Sequence, residues 1–152
     1  MAKNTEAKVY EELTAAALAK LTDSYVPYSH FNVAAALLCR DGDIVTGVNI
    51  ENAAYGAGIC AERTAIFKAV SEGKKDFEAI AVVGCRSEHL ATEEYKKGIL
   101  PDYCPPCGIC RQVMREFTDP NSFKIILARS VEDLKIYTLE ELLVDSFGPE
   151  NL

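Results

Sequence analysis

The strongest restriction on the fold is where the cysteines fall. Six stand at positions 39, 60, 85, 104, 107 and 110 of 152 residues, and the last three are bunched. Cys60-Ala61-Glu62 opens one predicted helix, and Pro106-Cys107-Gly108-Ile109-Cys110 opens another. Each helix follows a loop at the end of a strand. A C-x-x-C pair at a helix start brings its sulfurs together within the first turn, and Cys60 can add a third thiolate from the neighbouring helix. Unpaired N–H groups and the positive end of each helix dipole stabilise thiolates there, by about 0.3–1 kcal/mol per favourable charge. Three protein ligands leave the fourth position of a tetrahedral zinc open to water, the pattern of a catalytic site. Glu62 lies two residues after Cys60, so it reaches that open face without ligating. A carboxylate there can take a proton from water and deliver it to a substrate nitrogen. Arg63 and Arg111 each follow a motif residue directly. Each is placed to donate to a sulfur and restore some of the Lewis acidity that three thiolates blunt, the alternative, for Arg111 above all, being a surface residue.

Two other readings compete. Cys104-Pro105-Pro106-Cys107 is itself a C-x-x-C, so Cys104 can serve as a fourth ligand and close the site into a structural zinc domain. Glu62 has no purpose in such a site. A redox reading of Cys107-Gly108-Ile109-Cys110 leaves Cys60-Ala61-Glu62 unexplained, and the chain has no tryptophan beside the motif or anywhere else. Cys39 and Cys85 fall at predicted strand ends and read as small buried apolar residues. His30 and His89, the two histidines, are not needed as ligands.

From Glu6 to Tyr25, apolar residues at 9, 13, 16, 17 and 21 follow helical spacing. Val26-Pro27 ends that helix. Val33 to Cys39 and Ile44 to Val48, joined through Asp41-Gly42, read as a hairpin. Helices are predicted over Cys60–Gly73, Cys107–Phe117 and Thr138–Leu143, with Gly73 as a C-terminal cap. Buried strands are predicted over Ala79–Gly84 and Phe123–Ala128. Helices alternating with apolar strands make the class α/β, one mixed sheet covered by helices, in a single domain over residues 1–152. The net charge of −7, from 16 basic and 23 acidic residues, disfavours nucleic acid and anionic membranes and suits a small uncharged substrate. No apolar run approaches the roughly 20 residues that span a bilayer. Met1-Ala2-Lys3-Asn4-Thr5-Glu6 lacks the apolar core of a signal peptide, so a cytoplasmic location is expected.

Five blocks, in order, resemble the small homotetrameric zinc-dependent cytidine deaminases: PYSHFNVAAALL (27–38), VNIENAAYG (48–56), CAERTAIFKAVSEG (60–73), PCGICRQVMREF (106–117) and LEELLVDSFGPENL (139–152). The resemblance implies a three-layer α/β/α fold with a mixed five-stranded sheet and a homotetramer with one zinc ion per subunit. It also implies hydrolytic deamination of cytidine and 2′-deoxycytidine. Cys60, Cys107 and Cys110 would hold the metal, and Glu62 would carry protons to the ring nitrogen and the leaving amine. Phe31 matches the position whose ring packs against the pyrimidine, and Asn49 and Glu51 match the pair that binds the ribose hydroxyls. Ala61 matches a residue whose backbone N–H contacts the base, while Tyr55 and Phe147 match aromatics presented toward a neighbouring subunit's site. Segment 86–105 is longer than the family's usual connection and is largely polar. Gly58 stands where Thr is frequent and Ala34 where Gly is. A relative acting on an antibiotic or modified cytosine nucleoside, such as blasticidin S, is the alternative within the fold.

Overall fold

The computed structural model describes residues 2–152, with side chains described from residue 5 onward. Helix α1 (Ala2–Lys20) runs into a 3-10 turn over Leu21–Asp23, and its expected apolar stripe holds, with Leu13, Ala17 and Leu21 fully buried. The helix was expected to continue to Tyr25. It stops earlier because Ser24 is extended, and its hydroxyl donates to the carbonyls of Leu21 and Val33 at 3.0 Å each.

Strands β1 (Phe31–Cys39) and β2 (Ile44–Val48) form the expected hairpin around Gly42, whose φ of +91° only glycine adopts without strain. Next come helix α2 (Ala61–Ser71) and strand β3 (Phe77–Arg86). A short α3 (Glu93–Lys96) precedes helix α4 (Gly108–Phe117). Strands β4 (Lys124–Ala128) and β5 (Leu134–Thr138) and a short helix α5 (Leu139–Leu142) complete the order.

The sheet runs β2-β1-β3-β4-β5, with only the β3–β4 pair parallel. The five strands implied by the resemblance are present. The pattern of the chain located four of them. Leu-Lys-Ile-Tyr-Thr at 134–138 escaped because it is an edge strand, only partly buried, with Ile136 47% exposed.

Alternation along the three central strands builds two cores. Ala34, Ala36, Ala79, Ala81, Ile126 and Ala128 face α1, whereas Ala35, Leu37, Ile80, Val82, Ile125 and Leu127 face α2 and α4. Burial on both faces explains why these strands read as continuous apolar runs. Segment 86–105, read as a polar connection, is anchored more firmly than that. Leu100 is fully buried in the α1-side core, and its N–H donates to the Arg129 carbonyl at 2.7 Å.

Helix α2 ends at Gly73 (φ +85°). The Gly73 N–H donates to Val70 O at 3.0 Å and the Lys74 N–H to Ala69 O at 2.9 Å, the paired bonds that close a helix through a left-handed residue. The start of α2 lies hard against β2. A Cβ at Gly47 would stand 2.4 Å from Ala65 N and 2.5 Å from Ala61 O. Thr64 reinforces the contact, its hydroxyl donating to Val48 O at 3.0 Å.

Gly47→Ala is therefore expected to push the first turns of α2 off the sheet and cost about 1–3 kcal/mol in denaturant unfolding. Because that turn carries Cys60, metal occupancy per chain should fall with it. An unchanged unfolding midpoint would show that the contact is soft.

Candidate active site

After β2 the chain makes an excursion and is tied back. Ile50 and Ile59 exchange backbone hydrogen bonds of 3.0 and 2.9 Å, which returns the chain to Cys60 at the start of α2. Cys60 and Cys107 are the N-cap residues of α2 and α4, both extended in backbone and neither capping its helix through its side chain. Their sulfurs turn toward each other instead and stand 3.8 Å apart. The sulfurs of Cys60, Cys107 and Cys110 all lie within 4.8 Å of one another, with Cys110 fully buried and Cys107 exposed. Four ligands about 2.3 Å from a tetrahedral zinc stand about 3.8 Å apart, so three soft sulfur donors at this spacing fit that ion.

Hydrogen bonding among the thiols sets their charge. The Cys110 thiol, then the Arg63 guanidinium and Cys107, hold the Cys60 thiol well below its ordinary range, while hydrogen bonding to Cys60 and burial raise Cys110. Arg63 donates from Nη2 to Cys60 Sγ at 3.2 Å. Arg111 does not. Its Nε donates to Pro106 O at 2.8 Å and its Nη1 to Leu142 O at 2.6 Å, because the residue after Cys110 points along the flank of α4 toward the chain's last turns. Cys104 is outside the three-sulfur group. It packs on β3, where a Cβ at Gly84 would meet its sulfur at 2.8 Å, and burial above all pushes its thiol up to about 12. A closed site through Cys104 therefore lacks its fourth donor.

Glu62 sits in the first turn of α2, 3% exposed. Burial, with the Cys60 sulfur adding to it, pushes its carboxyl above the ordinary carboxylate range. A carboxyl in this position is placed to take up and hand on a proton beside the sulfurs. Ala61, fully buried, starts the same turn, where the first N–H groups have no partner within the helix.

Beside the sulfurs opens a cleft of about 480 Å³, lined by Tyr28, Ser29, Asn49, Glu51, Tyr55, Cys60 and Arg63 among others. That volume suits a small organic ligand. The Asn49 carboxamide accepts from Val33 N and donates to Phe31 O, each at 2.9 Å. Glu51 Oε1 accepts from the N–H groups of Tyr28 and Ser29 at 3.1 Å each, and the Ser29 side chain above all, then these N–H groups, hold its carboxyl below the usual range. A carboxylate offers about four acceptor sites and a carboxamide two donors and two acceptors, so both keep capacity for a ligand. Tyr55, 83% exposed, meets Tyr28 edge to face at the cleft mouth.

The other two expected aromatics stand apart. Phe31 lines a second hollow of about 450 Å³ with Cys85, Arg86, His89 and Tyr103, while the Asn49 carboxamide holds its carbonyl. Phe147, 59% exposed, lines neither. Sequence reasoning passed over Tyr28, Ser29 and the corner at His30, whose φ of +53° is unusual for a non-glycine residue and turns the chain into β1. Pro27 and Ser29, both turn formers, were the available signal.

Comparison with known proteins agrees with this geometry. Residues 7–125 match the family model described as the cytidine and deoxycytidylate deaminase zinc-binding region. The cytidine deaminase of Halalkalibacterium halodurans is 46% identical over 129 residues, covering 85% of this chain and 86% of that protein. That of Sporosarcina psychrophila is 42% identical over 142 residues, 93% of each. A blasticidin-S deaminase from Bacillus cereus is 34% identical over 132 residues, 87% of each. Among solved structures, cytidine deaminase from Burkholderia pseudomallei superposes with a TM-score of 0.74 at 39% identity, covering 90% of this chain and 97% of that one.

Cys104→Ser is expected to leave the metal content of the purified protein unchanged, whereas Cys110→Ser should lose most of it. Elemental analysis per chain decides the matter, and a drop with Cys104→Ser would restore the closed four-ligand site.

Proposed function

Since the chain belongs to the cytidine and deoxycytidylate deaminase family and is a zinc-dependent hydrolytic deaminase, we propose that it converts cytidine and 2′-deoxycytidine, with water, to uridine and 2′-deoxyuridine plus ammonia, in pyrimidine salvage. One observation carries the residue assignment: a carboxyl buried to 97%, two residues after Cys60, stands beside a three-sulfur group whose fourth candidate is packed elsewhere. Cys60, Cys107 and Cys110 hold the zinc. When bound, zinc supplies a Lewis acid that brings the pKa of water near neutrality.

The rest is work for the chain's own groups. Glu62 takes a proton from the attacking water and passes it to the ring nitrogen next to C4. Glu62 then takes the second proton of that water and delivers it to the departing amine, so that ammonia leaves and the C4 oxygen remains as the new carbonyl. The Ala61 N–H holds the base carbonyl. Arg63, bonded to Cys60 Sγ, draws charge from that sulfur. Asn49 and Glu51 use their remaining donors and acceptors on the sugar hydroxyls, so a free base should be rejected for leaving them unpaired. By the resemblance, Phe31, whose carbonyl Asn49 holds, packs against the pyrimidine.

Residues 1–152 act as one catalytic domain, with one zinc ion per subunit of a homotetramer. Support for assembly comes from bulky apolar side chains left uncovered, among them Tyr55, Phe67 (44%), Ile109 (63%) and Phe147. Tyr55 and Phe147 complete the cleft of a neighbouring copy. No helix among the described residues is long and apolar enough to cross a membrane. All six cysteines are free, as a thiolate site requires, which supports a reducing cytoplasm.

The absorbance loss of cytidine, 2′-deoxycytidine, cytosine and blasticidin S on incubation tests the substrate. Turnover of both nucleosides and not of cytosine is expected, and failure with both nucleosides would overturn the assignment. Turnover of blasticidin S alone would move it to the antibiotic-directed relatives. Glu62→Gln should lower kcat by at least about a hundredfold while retaining zinc, and loss of the metal in that variant would contradict the proton-carrying role.

A further inference from the structure

Helix α4 carries metal-site cysteines at its start and a different device at its end. Arg115, in the last turn, has a side chain only 8% exposed, and a buried guanidinium is costly unless it is fully engaged. Its partners among the described residues lie in the C-terminal segment. Its Nε donates to Ser146 Oγ at 3.0 Å, and its Nη2 pairs with the Glu150 carboxylate. Between these two residues the backbone of Gly148 lies against the guanidinium so closely that a Cβ would stand 2.4 Å from Cζ. Gly148 is extended (φ −148°), so this glycine answers the close approach and not an unusual backbone angle. Two further bonds tie down the same stretch: Gln112 Nε2 to Phe147 O at 3.0 Å, and Gly148 N to Asn151 Oδ1 at 2.7 Å.

The residue at the centre of this clasp is Phe147, yet its ring is uncovered and lines neither hollow of its own chain. A backbone pinned on both sides of a bare aromatic ring is built to present that ring outward.

We propose that Arg115 is a positioning residue, whose buried guanidinium fixes residues 146–150 so that Phe147 closes the substrate cleft of a second copy of this chain. The inference rests on the assembly reading given above. A planar fork is needed because one group must donate in two directions while a peptide stacks on its face; lysine keeps the charge and cannot do this.

The test separates the two levels. Arg115→Met should raise KM for cytidine about tenfold, a loss of one good contact, while zinc per chain stays at the wild-type value; Arg115→Lys should resemble it. Coexpression with Glu62→Gln chains follows. Those chains lack the proton carrier but retain an intact tail, so mixed oligomers place a good tail against the sites of the Arg115→Met chains. Activity per Arg115→Met chain should then rise severalfold toward wild type. Phe147→Ala mixed with Glu62→Gln is the reference. If the reference gains and the Arg115→Met mixture does not, the clasp does not act through Phe147. If the reference does not gain, the assembly reading fails and the proposal with it. Wild-type KM in Arg115→Lys would reduce the group to a buried charge and overturn the proposal. Should Arg115→Met not fold, Gly148→Ala puts the same question by forcing a methyl against the guanidinium.

Discussion

The site depends on two helix starts being forced to one place. The starts of α2 and α4 carry all three sulfurs and the buried carboxyl, and they meet because both helices pack on the same sheet face over Ala35, Leu37, Ile80 and Ile125. Gly47 sets how closely α2 approaches. Convergence of helix N-termini is electrostatically useful only where negative charge accumulates, and three thiols beside a carboxyl are such a place.

Charge is handled sparingly around this point. Arg63 alone brings a guanidinium to a sulfur. Arg111, one residue beyond a cysteine in the same way, braces the Pro106 and Leu142 carbonyls and so ties the loop before α4 to the end of α5. Arg115 continues the series one turn further along. Three polar side chains of α4, at 111, 112 and 115, thus fasten the chain's last stretch to the helix that begins at the metal ligands.

Much of this was legible in the sequence, for physical reasons. The two-core sandwich shows as unbroken apolar runs in β1, β3 and β4, and the metal site shows as cysteines at helix starts. The turn at Gly42 and the cap at Gly73 were readable because only glycine suits those angles. Besides the corner at residues 28–30, three things escaped. β5 was hidden because an edge strand is only partly buried and alternates weakly. The burial of Leu100 was masked by its polar neighbours. The direction of Arg111 was misjudged because adjacency in sequence says nothing of which way a long side chain leaves a helix, and two carbonyls competed for it with the sulfurs. Gly58 and Ala34, where the family pattern differs, are tolerated locally: Gly58 closes a 3-10 turn at the cleft rim, and Ala34 is buried against α1.

The uncapped helix starts have a further meaning. Serine or aspartate in the place of Cys60 and Cys107 would satisfy first-turn N–H groups from within each helix. Cysteine gives that up, since neither sulfur caps its own helix. The two sulfurs face each other across the gap between the helix starts instead, so whatever ion binds them joins both helix starts. Ligand occupancy and the order of both first turns become one thermodynamic quantity. Whatever ion draws the sulfurs of the two helix starts together is thereby linked to the order of the turn that carries the Glu62 carboxyl.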